Sequence, residues 1–269
     1  MTCFFRFLLC ILPSGVYAQN IYLEIFAGSS NYQGDLQEQV FLTGQAKVAV
    51  GAGLSWQLTS NLSLRGMATF AKVGADDRFN LKNYGRGLNF SSNIYEGQVV
   101  AVYDFRGLEE HASTPYAFLG LGIYHFNPTT TGAAGNKVYL MGLSTEGEGF
   151  YLDRKPYSLY QLCIPFGGGA RFAVSDKVRV GAEFGMRMLF TDYLDDVSTT
   201  YVDKDLLLNS RGATAVEVAY RGKGPYPAGG SPRGSAKNKD WYYFFGVTSS
   251  LRIVGTKSNI LHGRRRVVY

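Results

Sequence analysis

The sequence predicts an all-β protein, an eight-stranded antiparallel transmembrane β-barrel with long extracellular loops and short periplasmic turns. Three observations predict it. Eight segments alternate apolar residues with polar or small ones at a period of two, the pattern of strands with unlike faces. Several of these run to about 14 residues, whereas soluble strands run ~5–6 and a tilted membrane-crossing strand needs roughly 9–11. The connections alternate long and short, as outer loops and inner turns do in such barrels.

Composition agrees. Of 269 residues, 46% are hydrophobic and 14% aromatic, and 33 are Gly. No uninterrupted apolar run is long enough for a transmembrane helix. Nineteen Tyr and 18 Phe can furnish girdles at two interfaces. A secreted sandwich would share the alternation, but has no reason to alternate its loop lengths.

Residues 1–18 read as a secretory leader. Arg6 supplies the charge, Phe7 to Leu12 the apolar run and Pro13-Ser14-Gly15 the break, with Val16 and Ala18 as small residues before a cut at Gln19. A short buried strand is the other reading. Residues 19–254 then form the barrel and 255–269 a basic periplasmic tail. Net charge is +6, but removing Arg6, Lys257, Arg264, Arg265 and Arg266 leaves a remainder near +1. A nucleic-acid-binding surface is therefore not expected.

The first strand, Ile21 to Ser29, turns Leu23 and Ile25 outward and Glu24 and Phe26 inward. The second, Gln45 to Leu58, turns Val48, Val50 and Leu54 out and Lys47 in; the tight turn Thr59-Ser60-Asn61 follows. The third, Leu62 to Val73, carries Arg65 inward. The fourth, Asn93 to Phe105, carries Glu96, Gln98 and Asp104 inward, and the fifth runs Thr114 to Phe126. The sixth and seventh, Ser158 to Val174 and Lys177 to Thr191, form a hairpin across Ser175-Asp176. Val178, Val180, Ala182, Phe184 and Met186 share its apolar face, opposite Arg179, Glu183 and Arg187. Pro165 forfeits a ladder bond, and Gly167-Gly168-Gly169 beside it suggests a bulge or bend. The eighth strand, Lys239 to Val254, carries Arg252 inward. The longest connection, Asp192 to Asn238, is rich in Gly, Pro and charge and reads as a flexible outer loop.

Eight strands enclose an interior just wide enough for side chains. The inward charges are Glu24, Lys47, Arg65, Glu96, Arg171, Arg179, Glu183, Arg187 and Arg252. Unpaired, they would be very costly, so they should pair across the lumen. An ion-paired plug is favoured over a gated pore or proton path.

Chemistry finds little to build on. The three His are His111 in a turn, His125 at the outer rim and His262 in the tail. His125 stands where a lipid-modifying hydrolase would place its base, but no Ser and acid accompany it, so an aromatic-belt role is preferred and no enzyme is expected. Neither metal-ligand spacing nor a phosphate loop occurs, and no cofactor is expected. Asp76-Asp77 and Asp195-Asp196 read as solvated loop charges, with calcium binding as the alternative. Cys163, the lone mature thiol, reads as a buried filler or, alternatively, an intermolecular disulfide partner. The candidate partner contacts are therefore Cys163 and Arg264, Arg265 and Arg266. The tail would be disordered, rest on anionic lipid or dock on an acidic partner.

Three segments carry a resemblance: Tyr32-Gln33-Gly34-Asp35-Leu36, Asp196-Val197-Ser198-Thr199-Thr200-Tyr201-Val202-Asp203, and Lys239-Asp240-Trp241-Tyr242-Tyr243-Phe244. With them the chain resembles a Bacteroidetes family of small outer-membrane barrels that includes the PorG-like barrel of the type IX secretion system. The resemblance covers nearly the whole mature chain. It implies a non-catalytic outer-membrane component, in contact with outer-membrane lipid and associated with the periplasmic ring subunits of that machinery. It carries over no active-site residues. The alternative is an OmpA-like surface barrel whose long outer loops bind a ligand or a cell surface.

Overall fold

The computed structural model describes residues 20–40, 42–80, 82–108 and 111–255. The predicted leader and the tail arginines Arg264, Arg265 and Arg266 lie outside them. The elements are β1 (Ile21–Gln33), β2 (Lys47–Gln57), β3 (Leu62–Asp76), β4 (Asn89–Asp104), β5 (Ser113–His125), β6 (Thr129–Thr131), β7 (Lys137–Tyr139), β8 (Tyr160–Ala173), β9 (Val178–Leu189), α1 (Lys204–Arg211), α2 (Ala213–Ala219) and β10 (Trp241–Val254).

Eight of the ten strands are long and close into a barrel. Around the ring they run β1, β2, β3, β4, β5, β8, β9, β10, and β10 pairs with β1; every pairing is antiparallel. Closure leaves no free edge, so the ladder groups of these strands have partners inside the ring. The other two strands form a small hairpin that meets the outer end of β4 through Ser91 and Thr129.

The alternation sorts residues as expected, but with the greasy side outward. Leu121 is 71% exposed, and Leu119, Ile123, Leu162 and Val247 are likewise exposed, while Glu96, Glu183 and Arg187 are buried. Soluble monomers rarely expose apolar patches beyond a few hundred Å². A wall of this kind is made for hydrocarbon, where only closed barrels and helices satisfy their backbone. The short connections that follow β2, β4 and β8 share one end with Asn20 and Gly255. The four long connections gather at the other.

Two local expectations change. Gly167-Gly168-Gly169 forms no bulge: β8 keeps one register against β9 from Cys163 to Ala173. Against β5 the pairing lapses only at Ile164 and Pro165 and resumes in the same register at Cys163. The missing proline N–H is absorbed locally. Gly167 and Gly169 instead make room inside, where a Cβ would stand 2.9 Å from the Phe118 ring and 2.8 Å from the Tyr116 hydroxyl respectively. Among the described residues, the register shift in a barrel ladder falls between Ile21 and Tyr22. In addition, β1, β3 and β4 run on past their expected ends, so the wall rises above the apolar belt and supports the loops.

Candidate functional site

The lumen is filled from strands on opposite sides of the ring. β9 presents Arg179, Glu183 and Arg187 inward at four-residue spacing, since even spacing on a strand keeps one face. Arg187, 2% exposed, reaches β4, with Nε 3.0 Å from Glu96 Oε2 and Nη2 3.0 Å from Oε1. The Tyr242 hydroxyl donates to the same Oε2 at 2.5 Å. One layer nearer the turns, Arg65 of β3 donates to Glu183 at 2.5 and 3.2 Å, and Tyr116 donates to it at 2.8 Å. Deeper still, Arg171 Nε lies 3.2 Å from Asp104. Arg179 stacks over Tyr22 at 4.0 Å, Glu24 accepts from Ser250 at 2.6 Å, and Arg252 is buried near the turn end. Aromatic faces cover the guanidinium groups: Phe244 lies 4.0 Å from Arg187 and Tyr116 4.1 Å from Arg171. The arrangement is a plug of ion pairs, those of Arg187 and Arg65 bidentate and each finished by a tyrosine hydroxyl.

Lys47 is the correction to this set. It has the inward parity, but it sits exposed at the loop end of β2, above the lumen, and takes no part in the plug. Cys163 is 1% exposed and faces the lumen, with Sγ 3.9 Å from the Tyr242 hydroxyl. Its thiol is turned away from the outer surface. The tyrosines that complete the ion pairs, Tyr116 and Tyr242, and Tyr22 beneath Arg179, were not among the expected site residues. Their inward parity was the available signal. His125 packs between Tyr95 and Tyr160, ring centroids 6.2 and 4.7 Å away.

Above the lumen the long connections fold into a cap, contrary to the expectation of flexible loops. Asp203 caps α1 by accepting from the N–H groups of Asp205 and Leu206, both at 3.0 Å. Gly212, at φ +84°, breaks the chain between α1 and α2, a conformation glycine adopts without cost. Leu207, Ala215 and Ala219 pack with Val202 into a small core. Arg221, read as loop, is tied back by its N–H to the Arg86 carbonyl at 3.0 Å.

The acid pairs are likewise not solvated. Asp77, Asp195 and Asp196 are at most 1% exposed, and Asp76 is half-buried. Arg233, buried, donates to Glu146 at 2.9 Å and to the Asp196 carbonyl at 2.6 Å. Glu146 also accepts from the N–H groups of Ser198 and Thr199 at 3.0 and 2.7 Å. Asp196 accepts from Thr145 and Tyr157, both at 2.7 Å. The Tyr32 hydroxyl lies 2.5 Å from Asp195 and 3.1 Å from Asp240. A hydroxyl carries one hydrogen, so one of those contacts is served by a carboxyl that keeps its proton.

Burial drives the acids of the cap upward. Glu148, with Asp196 adding repulsion, rises to about 7. Asp192 rises to about 7 and Asp196 to about 6. Asp195 and Asp240 lie well above the carboxylate range for the same reason. Among the described residues, no group of three or more His, Cys, Asp or Glu is placed to hold a metal ion. The three segments quoted for the resemblance come together here: the Tyr32 hydroxyl lies 3.1 Å from Asp240, and Tyr32, Leu36, Val197 and Tyr242 belong to one buried cluster.

Solved structures similar to the chain include the Neisserial surface protein A, at 9% identity over 87% of this chain and 97% of that one, TM-score 0.45. They include Ail, the attachment invasion locus protein of Yersinia pestis, at 8% identity over 88% and 99%, TM-score 0.43. A major outer membrane protein from Thermus thermophilus is similar at 12% identity over 88% and 100%, TM-score 0.43. The closure of the present barrel rests on its own strand pairing and not on these likenesses. No curated protein matches the chain. Residues 2–207, a span that runs through β9 and into α1, match the family described as "Domain of unknown function (DUF6089)". With three quarters of its length inside that match, the chain belongs to the DUF6089 family.

Proposed function

We propose that this protein is a bacterial outer-membrane barrel acting as a non-catalytic structural part, an accessory component of the type IX protein secretion machinery that associates with its periplasmic ring. The observation that carries the structural role is the crossed lumen. Arg187–Glu96 and Arg65–Glu183 span it, and both pairs are buried. An eight-stranded barrel has no room beyond its side chains, so the molecule works through its surfaces. Outer-membrane lipid meets the apolar wall. The secretion role draws on the resemblance of the three segments that meet in the cap. The ring would dock at the opposite end, on the short turns and the basic tail.

The test is an affinity pull-down of the tagged barrel from detergent-solubilised outer membranes. Recovery of periplasmic ring subunits is the expected result, weakened when residues 256–269 are removed. A barrel recovered alone, with intact ring subunits in the same membranes, would overturn the secretion role.

A second reading is an OmpA-like surface barrel that binds a ligand or a cell through its outer loops. It is favoured by the cap being folded around its own core, which gives a fixed outer surface. Under that reading, replacing residues 204–219 by a short linker abolishes binding while cargo export stays normal.

A further inference from the structure

The β6–β7 hairpin flanks the cap, to which it is tied by the Ala133 N–H donating to Glu217 at 2.8 Å and by Arg221 donating to the Thr130 hydroxyl at 3.0 Å. It leans outward, fastened by the Thr129 hydroxyl to the Ser91 carbonyl at 2.7 Å and the Thr130 hydroxyl to Asn89 at 2.7 Å. Between it and the outer wall lies a crevice of about 520 Å³. Its lining brings together Lys72 of β3 and Lys137 of β7 with Asn93, Thr129 and Tyr139, and contains no acid. Lys72 and Lys137 are both exposed, and Lys137 Nζ lies 5.0 Å over the Tyr139 ring.

The height of the crevice can be read from the ladder. Phe70 pairs with Tyr95, Tyr95 with His125 and His125 with Tyr160, so four outward rings form one row across four strands. Such a row marks a membrane interface. Lys72 and Asn93 are the next outward rung above it, about 7 Å further along the tilted strands at ~3.4 Å per residue. Ala68 and Gly97 are the next rung below, on the hydrocarbon side. There the wall is hollowed by a second depression of about 760 Å³, over Ala27, Ala52, Ala68 and Gly97, which shares Tyr95 with the crevice above. A Cβ on Gly97 would meet nothing within 4 Å. Two lysines thus line a crevice on the headgroup side of the aromatic row, and across Tyr95 it adjoins a hollow on the hydrocarbon side.

We propose that this face is a binding site for one phosphate-bearing lipid of the outer leaflet, its phosphate between Lys72 and Lys137 and an acyl chain in the hollow over Ala68 and Gly97. The inference rests on the outer-membrane reading and adds a ligand to it. Charge complementarity selects an anionic headgroup. The continuity of crevice and hollow across Tyr95 selects a lipid over a free anion.

The test is native mass spectrometry of the full mature barrel released from detergent micelles, with lipid A as the probe. A single retained adduct is expected, reduced roughly tenfold or more by Lys72→Gln with Lys137→Gln, as loss of two interfacial cations implies. Gly97→Leu, which starts a side chain into the hollow where a Cβ meets nothing within 4 Å, should also reduce it. Equal adducts in wild type and the lysine double variant, or equal retention of zwitterionic phosphatidylcholine, would overturn the proposal. Displacement of lipid A by millimolar inorganic phosphate would assign the site to a free anion and overturn it as well. A wild-type chain that never forms a heat-modifiable barrel would instead sink the outer-membrane reading beneath it.

Discussion

The molecule has two buried polar interiors, and they are built on different terms. In the lumen the acids Glu24, Glu96, Asp104 and Glu183 face Arg65, Arg171, Arg179, Arg187 and Arg252. Charge is nearly balanced, and each carboxylate of the two central pairs meets a guanidinium and a tyrosine hydroxyl. In the cap, buried Asp77, Glu146, Glu148, Asp192, Asp195, Asp196 and Asp240 share two arginines, Arg233 and the half-buried Arg86. The lumen is held by opposite charges. The cap is held largely by hydrogen bonds to carboxyl groups, some of which keep their protons. The second should respond to pH near neutrality.

The largest effect that breaks this contrast is Arg187→Leu. It leaves Glu96 buried without its cation, at a cost of about 3–5 kcal/mol. The transition from folded to unfolded band on a heat-modifiability gel should fall clearly in temperature, and adding Glu96→Gln should restore part of the loss. An unchanged transition would show that the plug does not hold the barrel.

Arg233→Leu is the matching experiment in the cap. It strands Glu146 and two backbone carbonyls, costing about 2–4 kcal/mol, but the loss stays local. Limited proteolysis should cut the outer loops faster while the gel transition of the barrel stays put. A lowered barrel transition would mean that cap and lumen form one cooperative unit.

The smallest effect is the pH profile of the wild-type cap. Glu148, Asp192 and Asp196, raised to about 7, 7 and 6, hold protons in the folded state that the unfolded chain has released. The cap is therefore at full strength below the unfolded carboxylate range and weakens as pH climbs through about 6 to 7, by an amount on the order of 1–3 kcal/mol. Proteolysis of the loops should be slower at pH 5 than at pH 8, and Glu148→Gln should flatten the difference. A flat wild-type profile would erase the distinction between the two interiors.

The strands were legible because a lipid-facing wall enforces a strict period of two. That same rule named Glu96, Arg65, Glu183 and Arg187 as lumen residues. It also misassigned Lys47, because parity assigns a face and says nothing of height along the strand. Gly167-Gly168-Gly169 suggested a bulge for want of any sign that Tyr116 needed the space. The cap was opaque for a different reason. Its contacts join Tyr32 to Asp195 and Asp35 to Ser235, 163 and 200 residues apart, with no periodicity to announce them. Asp195-Asp196, read alone, looks like a solvated pair. Asp203 before Lys204 to Leu208 was a legible helix cap, masked by the Gly- and Pro-rich sequence around it.

The first and last strands of the barrel are neighbours, and the cap is fastened at that seam. Gln33 pairs with Trp241 at the outer end of β1 and β10, with Tyr32 and Asp240 beside them and in contact through the hydroxyl. This imposes an order of assembly. The contact cannot form until the whole chain has been delivered and the ring has shut, a closure over more than 200 residues that is intrinsically slow. Tyr32 and Asp240 then act as a latch on the finished product. Protection of the loops from protease should thus appear last in time, as a clock for completed insertion rather than for the arrival of any single strand.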